Sequence, residues 1–267
     1  MPNQDWTLVS ESFPKDLWVS RVVASEHHKG RVYVTLNGYR WDDMQAYVYR
    51  SDDFGKTWQA LVGGLPQSPV NVIREDPEYP NLLYLGNDLG AYVSVDGGTN
   101  WQPFAKGLTA VAVHDLVIQA EEKDLLLGTH GRSIYITDLE PLHTWMAAGK
   151  PNKLMVLEAP ELKHNPAWGS KRTVWSKTNT PQVQWILWSD QASSYTAQIL
   201  NSKGKTIYEW KGDFSYGINA IEYDLQRNLI SKKDLPADDT NYYLEKGTYQ
   251  LKITTNSSKI VETFPIK

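Results

Sequence analysis

Ser51-Asp52-Asp53-Phe54-Gly55-Lys56-Thr57-Trp58 and Ser94-Val95-Asp96-Gly97-Gly98-Thr99-Asn100-Trp101 are two copies of one pattern, Ser-x-Asp-x-Gly-x-x-Trp, with every shared position displaced by 43 residues. The pattern describes a hairpin corner. An Asp two residues into a turn accepts hydrogen bonds from N–H groups just downstream, and a Gly takes positive φ without a Cβ penalty. A Trp at the start of the next strand buries a large ring. A spacing of about 40–50 residues is that of a four-stranded blade of a β-propeller.

Working outward, each corner closes a set of short strands. In the first blade, from about 17 to 62, the alternation predicts an inner strand over Val19–Ser25 and a second over Arg31–Leu36. A long loop over 37–45, a third strand over Ala46–Arg50 and an outer strand from Trp58 to Val62 come next. The second blade, about 70 to 105, reads Val70–Arg74, Leu82–Gly86, Ala91–Ser94 and an outer strand from Trp101. A third reads Val113–Gln119, Asp124–Gly128 and Ile134–Thr137 and has no such corner; Pro141 marks the exit from the repeat. Trp6-Thr7-Leu8-Val9 matches the residues that begin at Trp58 and Trp101, and so reads as the outer strand of a preceding blade. Propellers close with about four to eight blades. The expectation is therefore a C-terminal portion of a longer protein, with self-association as the other way to cover open edges.

The corner resembles the Asp-box, or BNR repeat, of sialidases, xyloglucanase-type glycosidases and sortilin-type propellers. Two full boxes carry the resemblance, and Asn100 stands where the family prefers Thr. It implies a structural role, away from any active face, for Ser51, Asp53, Gly55, Trp58, Ser94, Asp96, Gly98 and Trp101. The phrase Leu127-Gly128-Thr129-His130-Gly131-Arg132-Ser133-Ile134-Tyr135, followed by Asp138-Leu139, resembles the last blade of bacterial sortilin-like, glycosyl hydrolase-like BNR proteins. That resemblance implies an extracytoplasmic protein, although the start Met1-Pro2-Asn3-Gln4-Asp5 has neither a basic nor an apolar leader region.

Beyond the repeat, 141–180 reads as an ordered linker holding Trp145, Trp168, Trp175 and one strand over Lys153–Leu157. From 181 to 267 short alternating strands with frequent turn signals indicate a β-sandwich. It resembles the fibronectin- or immunoglobulin-like module of exported BNR proteins. The predicted fold is all-β: a partial propeller of two to three blades over 1–140, the linker, and the sandwich.

Composition narrows the chemistry. There is no Cys, so thiol catalysis, disulfides and Cys metal sites are excluded. The net charge of -4 with no basic run argues against nucleic acid. No apolar run reaches the ~18 residues of a membrane span. Eleven Trp and 15 Tyr against 5 Phe suit both strands and sugar-stacking surfaces. His27-His28 lacks a third ligand at metal spacing, so no metal is expected; nor is any cofactor, since no phosphate-binding Gly-rich loop precedes a helix.

Strand alternation puts the turns between second and third strands on one face with the blade-to-blade connections. That face carries Tyr39, Arg40, Trp41, Asp42 and Asp43 from blade one, Asn87 and Asp88 from blade two, and His130 and Arg132 from blade three. Converging turns make it the candidate face for a glycan or peptide. A carboxylate pair such as Asp42 and Asp88 has the residue types for acid–base glycoside hydrolysis. Equally, these carboxylates have the character of solvated loop residues. Arg21 and Arg74, on inner strands, are expected to pair internally. In the sandwich, alternation puts Trp185 and Trp188 on opposite faces, one in the core and the other packed on the linker or open to a glycan. Two classes remain: a non-catalytic binding or scaffolding module, and the C-terminal portion of a glycoside hydrolase.

Overall fold

Both corners fold alike in the computed structural model, which describes residues 6–104, 107–227 and 243–267. The start at 1–5 lies outside the described residues. Ser51 Oγ donates to Asp53 Oδ1 at 2.8 Å and accepts from the Gly55 N–H at 2.8 Å. Ser94 repeats both bonds with Asp96 and Gly98, again at 2.8 Å. The Asp53 carboxylate accepts from the Thr57 N–H at 2.8 Å and its hydroxyl at 2.7 Å. Asp96 accepts from the Asn100 N–H at 2.9 Å and from Asn100 Nδ2 at 2.8 Å. Asn100 thus supplies the same two donors as Thr57. Gly98 has φ 90°, and a Cβ there would lie 2.7 Å from Leu61 Cδ1, so both conformation and space require glycine.

Each corner closes a four-stranded antiparallel meander. The first blade comprises β1 (Trp18–Ala24), β2 (Val32–Gly38), β3 (Asp43–Ser51) and β4 (Gln59–Ala60). The second comprises β5 (Val70–Glu75), β6 (Leu83–Asn87), β7 (Gly90–Ser94) and β8 (Gln102–Pro103). The third has three described strands: β9 (Val113–Gln119), β10 (Asp124–Thr129) and β11 (Ile134–Asp138). Tyr33, Val48, Ile73, Leu85 and Trp101 form the core between blades one and two. Their burial follows from the period-2 alternation that gives every strand one apolar row per face. The Trp101 indole N–H donates to Leu61 O at 2.9 Å, and Trp58 donates to Val9 O at 2.9 Å.

One expectation for this half needs correction. The connection over 37–45 is not a long loop: β2 and β3 continue until Gly38 pairs with Asp43, and only 39–42 turn. Asp42 takes φ 58° there, which an Asp tolerates. Trp6–Val9 joins no ladder among the described residues, although the Val9 carbonyl occupies the place relative to Trp58 that Leu61 occupies relative to Trp101.

The chain divides into two units, Met1–Leu139 and Glu140–Lys267. All of 141–180 falls within the second unit, so it is more than a connector. It holds a helix, α1 (Glu140–Ala147), and a strand, β12 (Met155–Glu158), that pairs with β13 (Val183–Ser189). Pro141 does not stop the helix because it sits in the first turn, where its missing N–H is not needed. Gly149, at φ 79°, ends it: the Lys150 N–H reaches Trp145 O and the Gly149 N–H reaches Met146 O. The sandwich packs a sheet ordered β12-β13-β16 against one ordered β15-β14-β17-β18. Here β14 is Ser193–Leu200, β15 Thr206–Phe214, β16 Gly217–Tyr223, β17 Gly247–Thr254 and β18 Lys259–Ile266. Trp185 is in its core, and Trp188 stacks on Trp145 at 4.0 Å, so neither ring is open to a glycan. Trp210 is only partly buried and stacks on the buried Tyr223 at 5.4 Å. The molecule is therefore all-β, a partial propeller followed by a β-sandwich.

Candidate functional site

All three inner strands break their pairing at one place. Val19 pairs with Leu36 and Arg21 with Thr35; Val70 pairs with Asn87 and Val72 with Gly86; Val113 pairs with Thr129 and Asp115 with Gly128. Ser20, Asn71 and His114 are the skipped residues. A bulge turns a side chain out of the ladder, and bulges favour functional rims for that reason. No sequence motif announces this repeat, because three different side chains occupy it.

The bulges organise the loop face. Ser20 Oγ donates to Val70 O at 2.8 Å, across to the next blade. Asn71 Nδ2 donates to Val113 O at 3.2 Å and to Asp88 Oδ1 at 2.8 Å, while Asn71 Oδ1 accepts from Asn37 Nδ2 at 2.8 Å. His114 lies 5.3 Å, ring to ring, from His130. The Asp88 N–H donates to Pro69 O and the His130 N–H to Ala112 O, so these turns do lie beside the blade connections. Below them, Asp115 Oδ1 receives Arg21 at 2.6 Å and Arg74 at 3.3 Å. Burial, then repulsion from Arg21, lowers the Arg74 pKa against the pull of Asp115. The inner-strand arginines thus pair internally, across blades.

The candidate residues fall into separate groups. Arg40 lies 3.9 Å over the Trp18 ring, and Trp41 meets Trp18 edge-on at 6.2 Å. Trp41 is 52 % exposed, Trp18 is 41 % exposed, and Tyr39 on the same turn is exposed. Asp43 does not face this group: its carboxylate accepts from the Gln45 N–H at 3.0 Å and the Tyr47 hydroxyl at 2.8 Å. Burial, followed by the hydrogen bond and charge of Asp43, pushes Tyr47 up to about 12. Asp42 ends the turn, and Asp88 is engaged by Asn71, so the two carboxylates share no partner. His130 and Arg132 are exposed on the blade-three turn. Among the described residues no His, Asp and Glu cluster has the makings of a metal site.

Trp18 was missed by sequence reasoning. Only the register reveals it: β1 enters the loop face through Trp18, which pairs with Asn37 at the foot of the Tyr39-Arg40-Trp41 turn.

No protein-family model matches the sequence, and no curated protein matches it. Solved structures do align with it. The GH74 xyloglucanase from Xanthomonas campestris aligns at 12 % identity and TM-score 0.38, over 93 % of this chain and 49 % of that one. A GH74 enzyme from Niastella koreensis aligns at 14 % identity and TM-score 0.36, over 64 % and 26 %. PorZ, a surface component of the type-IX secretion system of Porphyromonas gingivalis, aligns at 10 % identity and TM-score 0.34, over 94 % and 39 %. The chain thus spans at most about half the length of each of these three. No helix among the described residues is long and apolar enough to cross a membrane.

Proposed function

We propose that the first unit belongs to an exported Asp-box propeller protein and binds a glycan on its loop face without cleaving it. The observation that carries this reading is the half-exposed pair Trp18–Trp41 with Arg40 laid on Trp18. Large side chains leave water on folding unless something else covers them, and a sugar ring is a flat partly apolar partner for an indole. Arg40 keeps a rigid set of N–H donors beside that surface for hydroxyls or a carboxylate. The glycosidase alternative needs two carboxyls held about 5 to 9.5 Å apart across the scissile bond. Asp88 is tied down by Asn71 within the blade framework, a structural engagement that favours binding over turnover.

The test is calorimetric titration of the full chain with a panel of soluble neutral and acidic oligosaccharides, with reducing ends counted in parallel. Binding of at least one oligosaccharide is expected, lost in Trp41→Ala and kept in Trp175→Ala, whose ring is almost fully exposed in the second unit. No binding across the panel, or binding untouched by Trp41→Ala, rejects the reading. Release of reducing ends that disappears in Asp42→Ala or Asp88→Ala establishes the hydrolase instead.

A further inference from the structure

The shared bulge puts the three blades in register, so equivalent side chains can be compared. Val19, Val70 and Val113 precede the bulge; Val22, Ile73 and Leu116 come after it. Val70, Ile73, Val113 and Leu116 are fully buried, Val70 and Ile73 in the core shared with blade one and Val113 beside Gly86 of blade two, whereas Val19 is 56 % and Val22 58 % exposed. The opposite faces show the converse. Val48, Ala91 and Ile134 sit opposite Thr35, Gly86 and Gly128. Val48 and Ala91 are buried, yet Ile134 is 71 % exposed, and its neighbour Ile136 is 63 % exposed. Blade one presents the apolar face that meets a preceding blade, and blade three presents the face that meets a following one.

The polar link across blades breaks off in the same way. Ser20 reaches the Val70 carbonyl and Asn71 reaches the Val113 carbonyl. Next in the series come His114, a ring donor at an exposed bulge, and the carbonyl of Val19, the acceptor position of the first blade. The strands match too. In the described residues β11 pairs on one side alone, with β10, while Trp6–Val9 has the outer-strand pattern and no ladder. Tyr49 pairs with Ala60 and Tyr92 with Pro103; the equivalent residues are Tyr135 and Leu8.

We propose that two copies of this chain join head to tail, the blade-three face of each covering the blade-one face of the other. Three blades from each copy make a ring of six, within the range of about four to eight in which propellers close. The contact is heterologous, and two copies close it, so it ends at a dimer instead of growing. The occupant is argued from continuity with the contacts already made between blades one, two and three. Each open end lacks what the other supplies: an aliphatic face, a link donor or acceptor, and an outer strand or its slot.

Sedimentation equilibrium of the full chain is expected to give twice the chain mass. Val22→Glu and Ile136→Glu, both at exposed positions and thus neutral for folding of the single chain, are each expected to raise the dissociation constant about a hundredfold or more, since each buries a charge in the joint. An equimolar mixture of the two variants regains a dimer, because it retains one unaltered joint. A wild-type monomer, a dimer undisturbed by either substitution, or an open series of larger oligomers overturns the proposal. Because the chain has no Cys, the Leu8→Cys, Tyr135→Cys double variant provides a second readout. It is expected to oxidise to a covalent dimer, and its failure to do so in a dimeric protein overturns the placement of Trp6–Val9 beside β11.

Discussion

Replacing Ser94 by Ala removes one oxygen from the second corner and isolates what that oxygen does. Ser94 Oγ is buried, accepts from the buried Gly98 N–H at 2.8 Å, and donates to Asp96 at 2.8 Å. The methyl of alanine fits where the hydroxyl was, so no cavity opens. The Gly98 N–H, however, loses its acceptor where water does not reach. A buried donor left unpaired costs about 1–3 kcal/mol. Asp96 keeps both bonds from Asn100 and is exposed, so it replaces its lost donor with water. The expected destabilisation is therefore about 2 kcal/mol. For a unit of this size that lowers its melting temperature by roughly 6–8 °C, interpolating between small and medium domains. Differential scanning calorimetry reads it, with Ser51→Ala expected to match because Ser51 makes the same bonds to Gly55 and Asp53. The two corners share no partner, so the double variant should be additive to within about 0.5 kcal/mol. Thr99→Ala is the control: its hydroxyl is exposed and reaches only Asp96 O, and its effect should stay within about 0.5 kcal/mol. A Ser94→Ala transition no lower than that of Thr99→Ala refutes the reasoning.

Hydrogen bonds from the Thr57 side chain and backbone, then from Ser51, hold the Asp53 carboxyl down at about 2. Its folded pKa is below the unfolded value of about 3.9, so its contribution is present above pH 4 and is lost as pH falls from there through about 2. An NMR titration should place the Asp53 carboxyl near 2, well below the ordinary carboxylate range, and Asp53→Asn should flatten the acid limb of the stability curve. Gly98→Ala meets both a positive φ and Leu61, and should cost about 2–4 kcal/mol, whereas Gly131→Ala, at φ 74° in open space, should cost about 1 kcal/mol; urea titrations separate them. Trp145→Ala removes the ring stacked on Trp188 and should destabilise the second unit by about 3–5 kcal/mol. Trp175→Ala should leave it unchanged, and near-ultraviolet dichroism should lose the stacked-indole signal only in the former.

The corners were legible because their chemistry is local: Ser, Asp, Gly and Trp act within eight residues, and each role derives from side-chain donors and backbone freedom. The strands of the repeat were legible for the same reason, with ends that coincide or differ by at most three residues. What escaped was tertiary. The inner-strand bulge recurs three times with Ser20, Asn71 and His114, which have no common character beyond a polar atom that reaches out of the ladder. Residues 39–42 form a tight turn at the end of an extended hairpin because Asp43 pairs with Gly38, a pairing that no alternation signals. Helix α1 was hidden by Pro141, which has the look of a breaker where it is a tolerated first-turn residue. At the loop face Tyr39, Arg40 and Trp41 were found, but Trp18 has nothing in its local pattern beyond a strand end, and Asp43 proved to be held by Tyr47.

The central claim is that the two corners act as supports that tie each blade to its predecessor through the Trp indole. Indole N–H exchange, followed by nitrogen-edited NMR on the eleven Trp, tests this most directly. The Trp101 N–H, buried and bonded to Leu61 O, should exchange orders of magnitude more slowly than that of Trp175, and Trp58, bonded to Val9 O, should be slowed less. Exchange of Trp101 as fast as Trp175 would contradict the account.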